Sequence, residues 1–330
     1  MDKQNVPYIP IIEQAVKAPS GHNTQPWIFD IEKNEVIIRP DFSKSLPVVD
    51  PCHRELYISL GCAAENFSIA ASAFGYRTEI KVEKTDKEYR IRLQTTPDKS
   101  IPPSPLYPFI GKRQVNRRVY DSRIIPEKSM MQIMHISRED EVRFYAFQNG
   151  TSDFEILRKY ILEGNNRQMN DTAFKDELKS WMRFNKKHSE ATRDGLSYAV
   201  FGAPDLPAFI SRPVMSSFLK SSIQNKGDNR KITSSSHLLL FTTNDNTVES
   251  WMASGRTLQR FLLTAAREGI ACAFLNQPCE VEKLAMEIQN NLLTDKAYPT
   301  LLLRLGYAKT VPYSLRKEVG DVIKEQDNTE

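Results

Sequence analysis

Three short stretches carry side chains that could do chemistry. The first, Ala18-Pro19-Ser20-Gly21-His22-Asn23-Thr24-Gln25-Pro26-Trp27, sets a hydroxyl, a carboxamide pair and a glycine between two prolines. Such a set offers several hydrogen bonds to one flat polar ligand edge, more than a loop that only turns the chain requires. The second, Lys112-Arg113-Gln114-Val115-Asn116-Arg117-Arg118, is densely cationic, and Arg316-Lys317 forms a third group in an extended tail. Guanidinium forks suit a phosphate; a solvated basic face would carry the same residues.

No competing catalytic pattern is present. The chain has no Gly-rich phosphate loop, no Gly-x-Ser-x-Gly elbow and no His-Glu-x-x-His. His22, His53, His135, His188 and His237 are scattered and read as structural. Cys52, Cys62, Cys272 and Cys279 lack zinc-site spacing, so no metal is expected and free thiols are. A site with phosphate grips and amide donors, but no acid–base pair, calls for an organic cofactor that performs the chemistry itself.

The elements that position these stretches follow from hydrophobic period. A short helical pattern (Ile9, Ile12, Ala15, Val16) precedes the first loop, and Trp27–Ile31 and Glu35–Arg39 read as a hairpin after it. From Arg54 to Gly75 the spacing predicts a long helix. It has one apolar stripe (Leu56, Leu60, Ala63, Phe67, Ala70, Phe74) and a second, small-residue stripe through Gly61, Ala64, Ser68 and Ala71. Small side chains let another helix approach closely, so burial on more than one side is expected. Strands are predicted at Arg77–Val82, Tyr89–Leu93, Val142–Phe147, His237–Thr242, Ala271–Leu275 and Pro299–Leu305, and helices at Glu127–Ile136, Asp153–Asn166 and Thr172–Asn185.

The long helix occurs twice. Glu55, Gly61, Phe67, Ala71 and Gly75 align without a gap on Glu249, Gly255, Phe261, Ala265 and Gly269, with Tyr57 facing Trp251. Gly and a strand-like run follow in both copies, so the chain reads as two related halves whose long helices pack together as an internal pseudo-dimer. The expected division is a first half at 1–97, a proline-rich linker at 98–111 and a second half at 112–320. Within the second half, an insertion at about 150–235, irregular over Asp194–Ser211, has the loop-rich, aromatic character of a lid or, equally, of a peripheral helical excursion, and a disordered tail is expected at 321–330.

A formal charge of +4 on 330 residues is too mild to argue for nucleic acid. No apolar run approaches the roughly 18 residues that span a bilayer, and none follows Met1–Asn5, so neither membrane span nor leader is expected and a cytoplasmic location is.

Ala-Pro-Ser-x-x-Asn-x-Gln-Pro-Trp, Arg-x-x-x-Arg ahead of an Ile-Pro-led helix, and an arginine in the tail together resemble the nitroreductase superfamily of FMN-dependent oxidoreductases. In ordinary members the Arg loop precedes the Pro-Ser loop and two subunits share each flavin. Here the Pro-Ser loop stands first and the Arg loop opens the second half, which resembles the fused, Acg-like branch with one surviving flavin site. The resemblance implies an α+β fold with central antiparallel sheets and long core helices at the junction. It implies FMN as cofactor, NADH or NADPH as hydride donor, and a nitroaromatic, quinone or enone as small-molecule acceptor. It also implies a monomer acting as a pseudo-dimer, or a weak homodimer.

The resemblance further implies roles for single residues. Arg113, Arg316 and Lys317 would hold the FMN phosphate; Arg117, with Asn116 beside it, would place positive charge toward the pyrimidine end of the ring. Pro19, Ser20, Asn23 and Gln25 would approach from the other half, and Leu275, Asn276 and Gln277 would lie near the N5 edge. Val115 departs from the Ser or Thr common at that place. No obligatory protein acid is expected. The rival reading is a flavin-sequestering protein whose insertion, around Thr172–Ser211, covers the cofactor and permits little turnover.

Overall fold

The amphipathic turns of Tyr8–Ala15 (α1) bury Ile11, Ile12 and Ala15 against the first half of the molecule. In the computed structural model, which describes residues 6–217 and 219–324, α1 leads through the Ala18–Trp27 loop into β1 (Trp27–Glu32) and β2 (Glu35–Pro40). The predicted long helix is α2 (Arg54–Ala73), followed by β3 (Tyr76–Lys84) and β4 (Tyr89–Pro97). The proline-rich stretch that follows is tied down, with Ile110 buried beside Ile69 and Leu263.

The second half opens with the Arg loop, α3 (Glu127–Met134) and β5 (Val142–Gln148). An insertion then runs through α4 (Ser152–Asn170), α5 (Thr172–Ser180), β6 (Met182–Arg183), α6 (Lys186–Thr192), β7 (Leu196–Ser197), α7 (Ala208–Ser217) and α8 (Ser221–Thr233). The core resumes with β8 (His237–Thr243), α9 (Val248–Arg267) and β9 (Ala271–Phe274). After them come α10 (Gln277–Glu280), α11 (Glu282–Asn291), β10 (Tyr298–Gly306) and β11 (Ile323–Lys324).

Both main sheets share one plan. The first has the order β11-β1-β2-β4-β3 and the second β5-β8-β10-β9. Without β11, each runs first-second-fourth-third strand, all antiparallel, with the long helix between its second and third strands. This α+β architecture, with α2 and α9 packed between the halves, matches the expected fold class.

The helix crossing explains the small-residue stripe. A Cβ on Gly61 would lie 2.1 Å from the Met252 carbonyl oxygen, and a Cβ on Gly255 would lie 2.1 Å from that of Ile58. Those pairs are the repeat equivalents of one another, so the contact is self-complementary, as at an isologous interface. Tyr57 and Trp251, also equivalent, stack with centroids 6.4 Å apart.

Three expectations are corrected. The helix expected over Thr172–Asn185 ends at Ser180, because Met182 and Arg183 pair with Leu196 and Ser197. Asp194–Ser211 is not irregular throughout: it holds β7, a 3-10 turn at Tyr198–Phe201 and the start of α7. The tail is not disordered from Asp321, since Val322 is buried and Ile323 and Lys324 lie parallel to Phe29 and Asp30 of β1; residues 325–330, and the leader expectation at Met1–Asn5, lie outside the described residues. No helix among the described residues is long and apolar enough to cross a membrane.

Candidate functional site

The Ala18–Trp27 loop is bent by three residues in the left-handed region, His22, Asn23 and Gln25, at φ 47°, 58° and 54°. Asn tolerates this region better than most residues, and Ser20 Oγ secures the bend by accepting the Gln25 amide at 3.0 Å. The Arg loop comes from the opposite half and is held along β9 by the Val115–Cys272 bridge, with Asn116 N donating to Cys272 O at 2.9 Å. Between the two loops lies a cavity of about 680 Å³ that both Asn23 and Arg117 line.

Arg113 and Arg316 stand at this end. Arg113 is buried and donates through Nη2 to Lys17 O at 2.8 Å. Arg316 donates through Nη1 to Asn23 Oδ1 at 2.7 Å and through Nη2 to Ala18 O at 3.3 Å. Neither makes an ion pair among the described residues, and the buried Nε of each has no hydrogen-bond partner. Burial, then the Arg113 charge beside it, pushes the Arg316 guanidinium down to about 9. Two adjacent cations, one buried and one half-buried, are costly without a carboxylate unless an anion joins them. The orphaned N–H groups and the donor set fit a phosphate. Lys317 lines the same cavity, its Nζ 3.9 Å from Asp194.

A second cavity, about 720 Å³ and more apolar, shares Pro19, Ser20, Arg117, Leu196 and Phe274 with the first. The two therefore meet side by side. Arg117 stands at the junction, and its guanidinium makes no hydrogen bond or ion pair among the described residues; burial, then Arg304, lowers its proton affinity. Leu275, Asn276 and Gln277 line the second cavity, and the buried Gln277 Oε1 has no hydrogen-bond partner among the described residues. The insertion supplies much of the remaining wall, including Met169, Phe174, Met215 and Ile223.

Two expected residues stay out of both cavities. Asn116 is buried and committed to the chain, donating to Lys309 O at 2.8 Å and accepting from Arg118 N at 3.1 Å. Gln25 is a clasp: its Nε2 donates to Arg193 O at 2.9 Å and its Oε1 accepts from Lys317 N at 2.9 Å. Both shape the site from behind, because each amide is already spent on backbone.

Sequence reasoning missed the carboxyl groups of the second cavity. Glu55, in the first turn of α2, accepts from Asn276 Nδ2 at 3.0 Å, and Glu280, at the end of α10, accepts from Gln168 Nε2 at 2.5 Å. Both carboxyls line this cavity, and burial followed by the Glu55 charge raises the Glu280 carboxyl well above the usual range. Asp228 and the neutral His22, whose imidazole burial pushes down to about 4, line the same space. The one available signal was Glu55 recurring as Glu249 in the repeat, which conveys nothing about Glu280.

No family model matches the chain. Over 328 residues it is 24% identical to "Putative NAD(P)H nitroreductase Rv3131" of Mycobacterium tuberculosis, covering 95% of this chain and 90% of the relative. The counterpart in a second strain of that organism, "Putative NAD(P)H nitroreductase MT3217", gives the same figures. A crystal structure of a nitroreductase with bound FMN from Bacteroides fragilis is 15% identical with a TM-score of 0.37, covering 63% of this chain and 95% of its own. The FMN-dependent nitroreductase NfnB from Mycobacterium smegmatis in complex with NADPH is 13% identical with a TM-score of 0.39, covering 61% and 86%. The resemblance read from the motifs thus extends along nearly the whole chain.

Proposed function

We propose that the chain is an FMN-dependent oxidoreductase that passes hydride from NADH or NADPH to a nitroaromatic, quinone or enone. What carries this reading is the pair of guanidiniums without a carboxylate partner, buried Arg113 and half-buried Arg316, at one end of two adjoining cavities whose walls come from both halves. The nitroreductase names of the relatives support it.

FMN, when bound, would supply hydride transfer at its N5. The chain does the rest. Arg113, Arg316 and Lys317 would hold the phosphate, with Asn23 aligning Arg316. Arg117 would place a positive charge where the reduced ring carries negative charge. Pro19 and Ser20 would bound the ring on one side and Asn276 and Gln277 on the other, while the insertion keeps water from the reacting face. In this reading the halves 1–97 and 112–320 form one monomeric pseudo-dimer, with the 150–235 insertion as lid.

The test is occupancy. Arg113→Ala combined with Arg316→Ala removes the two phosphate grips, each worth about 1.5–3 kcal/mol as charged hydrogen bonds, so the purified variant should be nearly colourless. Undiminished flavin in that variant would remove the assignment. The sequestering reading draws on the clasp of the lid to the tail and to the Ala18–Trp27 loop: Arg193 Nε donates to Arg316 O at 2.7 Å, and Asn23 Nδ2 donates to Gly195 O at 3.2 Å. Anaerobic mixing of holoprotein with NADH or NADPH separates the two, since prompt bleaching supports the oxidoreductase and persistent colour supports storage.

A further inference from the structure

We propose that Glu280, sharing one proton with Glu55, is the acid that protonates the acceptor as it is reduced, an assignment that rests on the oxidoreductase reading above. Both carboxyls line the second cavity beside Asn276 and Gln277. Asn276, at the start of α10, holds Glu55 at 3.0 Å, and Glu280 ends the same short helix, so the two carboxyls face one another across that wall; neither forms an ion pair with a cation among the described residues. Two carboxyl groups sharing one poorly solvated wall disfavour double ionisation, and that is the basis for placing one proton between them.

The surroundings keep that proton on the pair. Arg54 is the adjacent cation, but its Nη2 is spent on Cys279 O at 2.7 Å. Asp50, on the approach to α2, adds a further carboxyl near Glu55. His22 is uncharged, and the buried Cys279 thiol is pushed up to about 12. The amides of Gln168 and Asn276 each hold a carboxyl oxygen and would stabilise the anion left after proton loss.

The step balances. A quinone takes a hydride, originating from the reduced nicotinamide, at one oxygen-bearing end of its conjugated system and needs one proton to become a hydroquinone. The Glu280 O–H bond breaks and an O–H bond forms on the acceptor. The carboxylate that remains, paired with Glu55, recovers its proton from solvent once product departs. General acid catalysis of this kind contributes typically about 10²–10⁴-fold.

The experiment compares holoprotein turning over benzoquinone, which needs hydride and proton, with ferricyanide, which takes electrons alone. In Glu280→Gln the benzoquinone rate should fall roughly 10²-fold relative to the ferricyanide rate; equal losses, or none, would overturn the assignment. The second readout needs no turnover. Infrared spectra of the ¹³C-glutamate-labelled protein should show a protonated-carboxyl band at neutral pH that is lost in Glu280→Gln and titrates away at lower pH in Glu55→Gln. Absence of that band from the wild type would equally refute the shared proton. A wild type that reduces neither acceptor refutes the oxidoreductase reading and the acid's role with it, and the band then reports only a buried structural proton.

Discussion

Adding one methyl group at the centre of the helix crossing should force the two long helices apart. In Gly61→Ala the new Cβ would sit 2.1 Å from the Met252 carbonyl oxygen, against a floor of 3.0 Å that real Cβ atoms observe, so α2 and α9 must part by nearly 1 Å. The obstruction is backbone on both sides and cannot rotate away. A radial gap of that size forfeits roughly a quarter to a half of the dispersion attraction of each facing atom pair. It would also stretch the Cys62 Sγ–Gly255 O contact, now 3.1 Å, and the Tyr57–Trp251 stack. Overpacking alone costs about 1–3 kcal/mol, and the gap adds to it, while the better helix propensity of Ala returns about 1 kcal/mol. The net is a loss of roughly 2–4 kcal/mol, or a melting temperature lower by about 3–6 °C in a chain of this size. Gly227→Ala, in α8 with no atom within 4 Å of where the methyl would stand, is the control and should be neutral or stabilising. Because Gly61 and Gly255 are equivalent, Gly255→Ala should cost the same to within about 0.5 kcal/mol, and the double variant should cost less than the sum, since the helices need to separate only once. Differential scanning calorimetry measures all four. A Gly61→Ala protein as stable as the wild type, or strictly additive costs, would refute the close crossing.

Burial, then the Glu55 charge, raises the Asp50 carboxyl from 3.8 to about 6 in the fold. Its contribution to stability is therefore complete below pH 3.8 and lost as pH rises through about 6. Asp50→Asn should gain stability relative to wild type across that window and run parallel to it above; denaturant titrations at several pH values check this, and parallel curves throughout would contradict it. Truncation after Gly320 removes the buried Val322 and the β11 pairing, including Phe29 N to Val322 O at 2.8 Å, and releases the segment that carries Arg316. It should lower stability by about 2–3 kcal/mol and weaken FMN binding in a fluorescence titration; unchanged stability and affinity would contradict the role of the pairing.

Much of this was legible because it obeys local rules. The helix pattern of α2 and its repeat in α9 are periodic signals, and the small stripe could serve only a close helix contact. The Ala18–Trp27 loop and the Arg cluster stood out because their residue types are wasteful in plain turns. What escaped was set by tertiary partners. Asn116 and Gln25 look like ligand-facing amides until Lys309, Arg193 and Lys317 occupy them. Ile323 and Lys324 form a strand only because β1 presents a free edge to them. Glu280 looks like any charged residue at a helix end until Glu55 meets it.

The same symmetry accounts for there being a site on one side of the helix pair. The offset that matches Gly61 with Gly255 also matches Cys62 with Arg256 and Asn66 with Arg260. Cys62 lines the second cavity; Arg256 and Arg260 instead reach Glu65 and Glu139, at 3.3 and 3.1 Å for Arg256 and 2.7 and 2.9 Å for Arg260. Glu139 lies between α3 and β5, the place that Ser20 and Asn23 hold between α1 and β1, and its amide donates to Thr257 Oγ1 at 3.1 Å. At the counterpart of the cavity, then, two carboxylates neutralise two guanidiniums in a largely buried network. On the site side Arg113 and Arg316 have no carboxylate. Among the described residues one side of the core pairs its charges internally, while on the other Arg113 and Arg316 have no carboxylate, which is the physical ground for proposing one anionic cofactor per chain.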